Sequence, residues 1–101
     1  MDPKNIIEKA WDHRELLKED EVMQTIFLVI DKLDRGEVRV AEKGEDGWIV
    51  NDWIKKAVIL YFPVRKMETI EVPPFEFHDN IPLKTGYRNN GVRVVPHAIA
   101  R

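Results

Sequence analysis

Val22, Ile26, Val29, Ile30 and Leu33 recur at i, i+4, i+7, i+8 and i+11, a spacing that puts all five on one stripe of an α-helix. An apolar stripe of that width has to be covered, so the rest of the chain must supply other apolar faces to pack on it. Gly36 follows Arg35 where this helix should stop, and a residue without a Cβ can take the left-handed conformation that closes a helix. Upstream, Glu19, Asp20 and Glu21 put negative charge at the positive end of its dipole.

Two further helices can provide the covering faces. Asp2 can accept from the free amides of a first turn, and Pro3 is tolerated at the first helical position. Ile6, Ile7, Ala10, Trp11 and Leu17 then fall mainly on one face, which predicts a helix from about Pro3 to Lys18. Asn51 or Asp52 caps another, from about Trp53 to Phe62, whose shared face is Ile54, Ala57, Val58, Tyr61 and Phe62 and which Pro63 ends by lacking an amide donor.

Strand patterns lie between and after the helices. Glu37 to Lys43 alternates charged and small apolar residues, with Val38 and Val40 facing inward; Gly44-Glu45-Asp46-Gly47 lets the chain reverse into Trp48-Ile49-Val50, giving a hairpin. Met67 to Val72 reads as a short edge strand closed by Pro73-Pro74. The segment from Phe75 to Gly86 reads as irregular, anchored on the helices by Phe75, Phe77, Ile81 and Leu83. Gly91 to Pro96 reads as a last strand, with His97 to Arg101 trailing. The expectation is an α+β domain of about three helices with a β-hairpin and a C-terminal strand. Residues 1–90 would form the helical body and residues 91–101 the strand and the start of a connection. An apolar strand needs a partner, so a chain that stops five residues after one is expected to be cut short.

With 101 residues the chain fits one domain, and about 60 to 65 % of its unfolded surface can be buried, enough for one modest core. Cysteine is absent, which excludes disulfides, a thiolate nucleophile and thiolate metal sites and points to a reducing cytoplasm. Serine is absent too, and Thr25, Thr69 and Thr85 have no evident base, so a hydroxyl nucleophile is not expected. His13, His78 and His97 lie far apart without a second ligand at metal spacing, so no metal is expected; His78 beside Asp79 reads as a surface hydrogen-bonding residue. Gly86 and Gly91 are too sparse for a phosphate-cradling loop. The longest apolar run, Ala57 to Pro63, is far short of the roughly 18 residues of a membrane span, and residues 1–20 carry charges throughout, so neither a membrane nor an export signal is expected. Trp11, Trp48 and Trp53 are expected in packing rather than on a binding face, and Lys55-Lys56 on a solvated one.

The charge is uneven. Of 16 basic and 18 acidic residues, the stretch from Lys84 to Arg101 holds Lys84, Arg88, Arg93 and Arg101 and no acid, so it is a positive segment on a negative body. Arg93, flanked by Val92, Val94 and Val95, is the candidate binding residue. A guanidinium inside an apolar strand costs several kcal/mol unless an anion or acceptors meet it, and its planar fork suits a carboxylate. An intramolecular partner, an Asp or Glu, would serve equally.

Five stretches now converge: Asn5-Ile6-Ile7-Glu8, Arg39-Val40-Ala41-Glu42-Lys43, Trp53-Ile54-Lys55-Lys56-Ala57-Val58, Asp79-Asn80-Ile81-Pro82-Leu83-Lys84 and Gly91-Val92-Arg93-Val94-Val95-Pro96. In this order and spacing the chain resembles the N-terminal domain of the 2,3,4,5-tetrahydropyridine-2,6-dicarboxylate N-succinyltransferases, acyltransferases of bacterial lysine and diaminopimelate synthesis. The segment from Pro63 to His78 departs most from that pattern. The resemblance implies a continuation past Arg101 into a left-handed parallel β-helix of hexapeptide repeats and a homotrimer assembled through it. It implies succinyl transfer from succinyl-CoA, a co-substrate rather than a resident cofactor, to the amine of L-2-amino-6-oxopimelate, the ring-opened form of tetrahydrodipicolinate. The thioester site and the base would lie in that continuation, so that no catalytic residue falls within residues 1–101 and the chain alone would be inactive. The family's acceptor-contacting arginine corresponds to Arg93. The alternative from the residues alone is a stand-alone helical interaction module whose basic end binds an anionic partner. Against nucleic acid as that partner, Tyr87 is the one aromatic between Lys84 and Arg101.

Overall fold

The computed structural model describes residues 2–101. The chain divides into two compact units, one ending at Val64 and one beginning at Arg65. In the first, α1 (Pro3–Asp12) starts as the sequence directs, with the Lys4 amide donating to Asp2 Oδ1 at 3.2 Å and Pro3 in the first turn. The expected continuation to Lys18 is not helical throughout. The chain turns at His13 (φ −131°, ψ 83°) and resumes as a 3-10 helix, Arg14–Lys18. The tighter turn brings Leu16 as well as Leu17 against the core, which one straight helix with the face of Ile6, Ile7 and Ala10 would not do.

Helix α2 (Asp20–Asp34) buries Val22, Ile26 and Val29. Its one buried polar residue, Thr25, donates its hydroxyl to the Glu21 carbonyl at 2.8 Å and so carries no unpaired donor inward. The helix ends at Gly36, φ +77°, with the Gly36 amide donating to the Leu33 carbonyl and the Glu37 amide to that of Lys32, the paired bonds of a Schellman stop.

Strands β1 (Ala41–Gly44) and β2 (Gly47–Val50) pair antiparallel around Glu45-Asp46. Only Gly47 of the two turn glycines has a positive φ, +123°. A Cβ at Gly44 would meet Ile49 Cδ1 at 2.6 Å, the end of an exposed side chain that can turn aside. The ladder begins at Ala41 rather than Glu37. Opposite it, the chain leaves the hairpin at Asn51, whose amide donates to the Val40 carbonyl at 2.7 Å, so residues before Val40 have no strand to face. Val38 and Val40 are nevertheless half-buried against the helices, as the alternation predicts.

Helix α3 (Asp52–Val64) runs two residues past the expected end, carrying Pro63 in its last turn, where the missing donor removes only one helical bond. Its inward face is Ile54, Ala57 and Leu60, with Val58 and Tyr61 partly buried; Phe62, expected inside, is 44 % exposed. Ile7, Ile26, Ile54 and Leu60 are the largest fully buried side chains and come from all three helices. Burying each is worth about 1.5 to 3 kcal/mol relative to leaving it in water.

In the second unit, β3 (Glu68–Val72) and β4 (Phe75–Asp79) form another antiparallel hairpin. The sequence reading leaves Phe75–Asp79 irregular because it treats Pro73-Pro74 as a terminator. The two prolines, joined by a cis peptide bond, are instead the turn, and they set Val72 opposite Phe75 and Ile70 opposite Phe77, β-branched against aromatic. A four-residue helix, α4 (Tyr87–Asn90), lies between Gly86 (φ +74°) and Gly91 (φ +69°). The expected strand over Gly91 to Pro96 does not form. Gly91 is in the left-handed region and Pro96 has no donor, and among the described residues both sheets are two-stranded hairpins that leave this segment without a ladder. None of residues 65–101 is buried; Phe75 (52 %) and Leu83 (40 %) are exposed, while Phe77 and Ile81 are half-buried. The α+β class holds, with two hairpins and four α-helices among the described residues.

Candidate functional site

The positive segment is a loop closed at its base. The Lys84 amide donates to the Ala100 carbonyl at 2.8 Å, and the Arg101 guanidinium pairs with the Asp79 carboxylate at the end of β4. Within the loop, the two left-handed glycines bracket α4, and the Val92 amide folds back onto the Tyr87 carbonyl at 3.0 Å. Val95 to Ala98 form a turn closed by the Ala98 amide on the Val95 carbonyl. Pro96 stands in its second position and His97 in its third at φ +72°, the dihedral of a type II turn. A non-glycine residue there is uncommon. The His97 and Phe75 rings meet in a T-shaped arrangement, centroids 6.2 Å apart at 86°, which ties the turn to the β3–β4 hairpin.

Arg93 lies between these two tethered turns. It is exposed, and among the described residues no acid or carbonyl partners it. Its expected burial inside an apolar strand is therefore corrected. The desolvation argument for a compensating anion does not apply to this conformation, nor does the intramolecular ion pair form. What remains is an accessible guanidinium, beside exposed Val92 (52 %) and Val95 (55 %), on a segment that holds four bases and no acid.

The other candidates are not brought together. His78 Nδ1 lies 2.8 Å from Thr69 Oγ1 across the hairpin, while Asp79 is taken by Arg101, so His78 is the surface hydrogen-bonding residue expected and not half of an acid–base pair. Among the described residues no three His, Cys, Asp or Glu side chains gather in a metal-ligating group, and no helix is long and apolar enough to cross a membrane. Two open grooves of about 380 and 390 Å³ lie in the first unit, one along Leu33 to Ala41 and one at the β1–β2 turn; Arg93 lines neither.

Lys55 is exposed as expected, but Lys56 is not on a solvated face. Its ammonium sits 2.7 Å from Glu8 Oε2 and 5.7 Å from the centre of the Trp11 ring, over which Arg14 also lies at 4.8 Å. The Glu8 hydrogen bond holds the Lys56 pKa above its ordinary 10.5, against the opposing effect of burial. This cluster clasps α1 to α3. Glu8 and Lys56 are 48 residues apart and carry no local signal that they meet. Trp11 and Trp53 pack partly buried against the core, whereas Trp48, expected in packing, is 72 % exposed.

The sequence model of the tetrahydrodipicolinate N-succinyltransferase N-terminal family matches residues 2–64, which is the described part of the first unit. The chain belongs to that family. It is 40 % identical over 110 aligned positions to the 2,3,4,5-tetrahydropyridine-2,6-dicarboxylate N-succinyltransferase of Pseudoalteromonas translucida, covering 99 % of this chain and 40 % of that protein. The enzyme of the same name from Bordetella petrii is 41 % identical over 111 positions, covering 100 % of this chain and 41 % of its own length. That from Coxiella burnetii is 42 % identical over 110 positions, covering 99 % and 40 %. Similarity to these relatives thus continues through the second unit, beyond the reach of the family model. The chain spans about two fifths of the length of these curated relatives.

Proposed function

We propose that these residues are the acceptor-side N-terminal domain of a tetrahydrodipicolinate N-succinyltransferase. The observation that carries this reading is the identity of 40 to 42 % with enzymes of that name across essentially the whole chain. In the reaction, the acceptor's amine nitrogen attacks the thioester carbonyl of succinyl-CoA. An amide bond forms, the coenzyme A thiolate leaves, and the amine's proton passes to a base. We place the thioester site and the base, as the family resemblance implies, in the part of the relatives' length that this chain does not span, together with the β-helix through which the subunits form a homotrimer. The connection to it is residues 91–101, and the whole protein works in the cytoplasm without a resident cofactor.

The role left to this chain is recognition. The acceptor is a dicarboxylate, and Arg93 is the cation through which we propose one carboxylate is held, by two parallel N–H···O bonds of its planar fork. Its exposure and lack of an internal partner support this reading. The test is steady-state kinetics of the longer protein with each substrate varied in turn. Losing one partner of a charge pair desolvated on binding costs about 2 to 5 kcal/mol, so Arg93→Ala should weaken acceptor use by tens to thousands of fold. Succinyl-CoA use should change little, Arg93→Lys should recover part of the loss, and the melting temperature should not move. An unchanged acceptor kcat/KM in Arg93→Ala would remove Arg93 from the site. Residues 1–101 alone should catalyse no succinyl-CoA-dependent acylation, and turnover by them would refute the division of roles.

A further inference from the structure

The β1–β2 hairpin has two open edges, and they differ in a way that selects what can pair with them. The Asn51 amide bonded to the Val40 carbonyl marks that rung as hydrogen-bonded. Bonded and non-bonded rungs alternate in an antiparallel ladder, so Glu42–Ile49 and Gly44–Gly47 are bonded as well. The main-chain N–H and C=O groups of Ala41 and Lys43 then point outward from β1, and those of Trp48 and Val50 outward from β2. Along the β1 edge, antiparallel registers that align these outward groups set Glu42 against its own copy or Lys43 against its own copy. That edge is guarded by like charge. The β2 edge carries no charge. Trp48 (72 %), Ile49 (50 %) and Val50 (59 %) are exposed on both faces of the strand, although a lone two-stranded hairpin of this length is marginal in water.

Acidic residues bracket this apolar edge, with Glu45 and Asp46 at the turn and Asp52 just beyond Val50. Glu45 and Asp46 line one open groove together with Trp48 and Ile49. The antiparallel register that would match all three apolar residues of β2 with a second copy, Trp48 beside Val50 and Ile49 beside Ile49, also sets Asp46 against Asp52 at both ends. Charge therefore disfavours self-pairing in the register of greatest apolar overlap, and it favours a strand with cationic flanks, whose ammonium or guanidinium groups meet the carboxylates and the exposed indole. We propose that the outer edge of β2 adds an extended segment of a partner polypeptide, apolar or β-branched along its length and basic at its ends, by main-chain pairing to Trp48 and Val50.

The probe is the synthetic peptide acetyl-Lys-Val-Thr-Val-Lys-amide, titrated into the isotopically labelled 101-residue chain with amide hydrogen exchange followed residue by residue. The expected result is slowing of exchange by about tenfold or more at Trp48 and Val50, with Ala41 and Lys43 unchanged. The same peptide with Glu in place of both Lys residues, or the Glu45→Gln/Asp46→Asn double variant with the Lys peptide, should lower affinity about tenfold, less so in high salt. Because those two substitutions lie in the hairpin turn, unchanged amide chemical shifts elsewhere from Ala41 to Val50 without peptide show that the hairpin is intact. No protection at millimolar peptide would overturn the proposal, as would protection of the β1 edge or equal binding of the Glu-flanked peptide. Protection of Trp48 and Val50 that tracks protein concentration without peptide would identify a second copy as the occupant and overturn it equally.

Discussion

The unit ending at Val64 and the unit beginning at Arg65 are stabilised in opposite ways. Among its described residues the first has nine buried apolar ones drawn from three helices; the second has no buried residue and is tied by surface devices, the Asp79–Arg101 pair, the Lys84–Ala100 bond and the Phe75–His97 contact. The first is where the family model matches, and the second carries the basic loop and Arg93. An interior restricts which side chains are tolerated at every turn of a helix, whereas a loop fastened at a few points leaves the residues between them free to meet a ligand.

The largest expected effect probes that contrast directly. Ile26→Ala, fully buried, should cost about 2 to 5 kcal/mol in urea denaturation. Phe75→Ala, half in water, should cost less than about 1.5 kcal/mol, the upper range of its ring contact. Equal losses would mean that the second unit has a hidden core, and the comparison would fail. Next, Gly36→Ala forces a Cβ into the left-handed region at an otherwise open position and should cost about 1 to 2 kcal/mol. A smaller loss would show that the Schellman stop contributes little beside the core. Asp79→Asn breaks an ion pair whose members both remain partly in solvent, so global stability should fall by only about 0.2 to 1 kcal/mol. Exchange of the Lys84 amide should quicken all the same, because the loop base is held locally. An unchanged Lys84 amide would show that the fastening lies elsewhere.

The smallest effect expected is a pH dependence in the first unit. The Lys56 pKa is raised by its bond to Glu8, so its contribution is fully present below 10.5 and is lost as pH climbs through the higher value of the folded state. Melting temperature in alkaline buffers should fall more for the natural chain than for Lys56→Met. Parallel curves would mean that the clasp adds nothing to the packing of α1 on α3.

Legibility followed the same division. Helix α2 was readable to its last turn because five apolar residues and Gly36 agree, and the β1–β2 turn because two glycines flank two acids. The break at His13 was not, since Leu17 alone fits a continued helix and the demand to bury Leu16 too appears only in three dimensions. Strand β4 was hidden by Pro73-Pro74, which end a strand in one context and turn a hairpin in another. The Gly91 to Pro96 segment misled most: its valines have strand propensity, but propensity is realised only where a ladder exists. The desolvation argument for Arg93 rests on that strand and falls with it, and what the structure keeps is an exposed guanidinium on a basic segment. Glu8 and Lys56 left no such mark, because the pair exists only once helices far apart in sequence have packed.

Asn51 has a further consequence. It stands where a cap for α3 is expected, and its carbonyl accepts from the Ile54 amide, but its side-chain amide turns back to the Arg39 carbonyl at 2.8 Å and Glu42 Oε1 at 3.3 Å while its own main-chain amide holds Val40. One residue thus welds the root of the hairpin to the first turn of a helix, and the hairpin projects as a bracket rather than a flap. A strand arriving at β2 meets a surface already fixed in direction. Little orientational freedom is surrendered on association, and a contact of only a few rungs can persist where a hinged hairpin of the same composition would let it go.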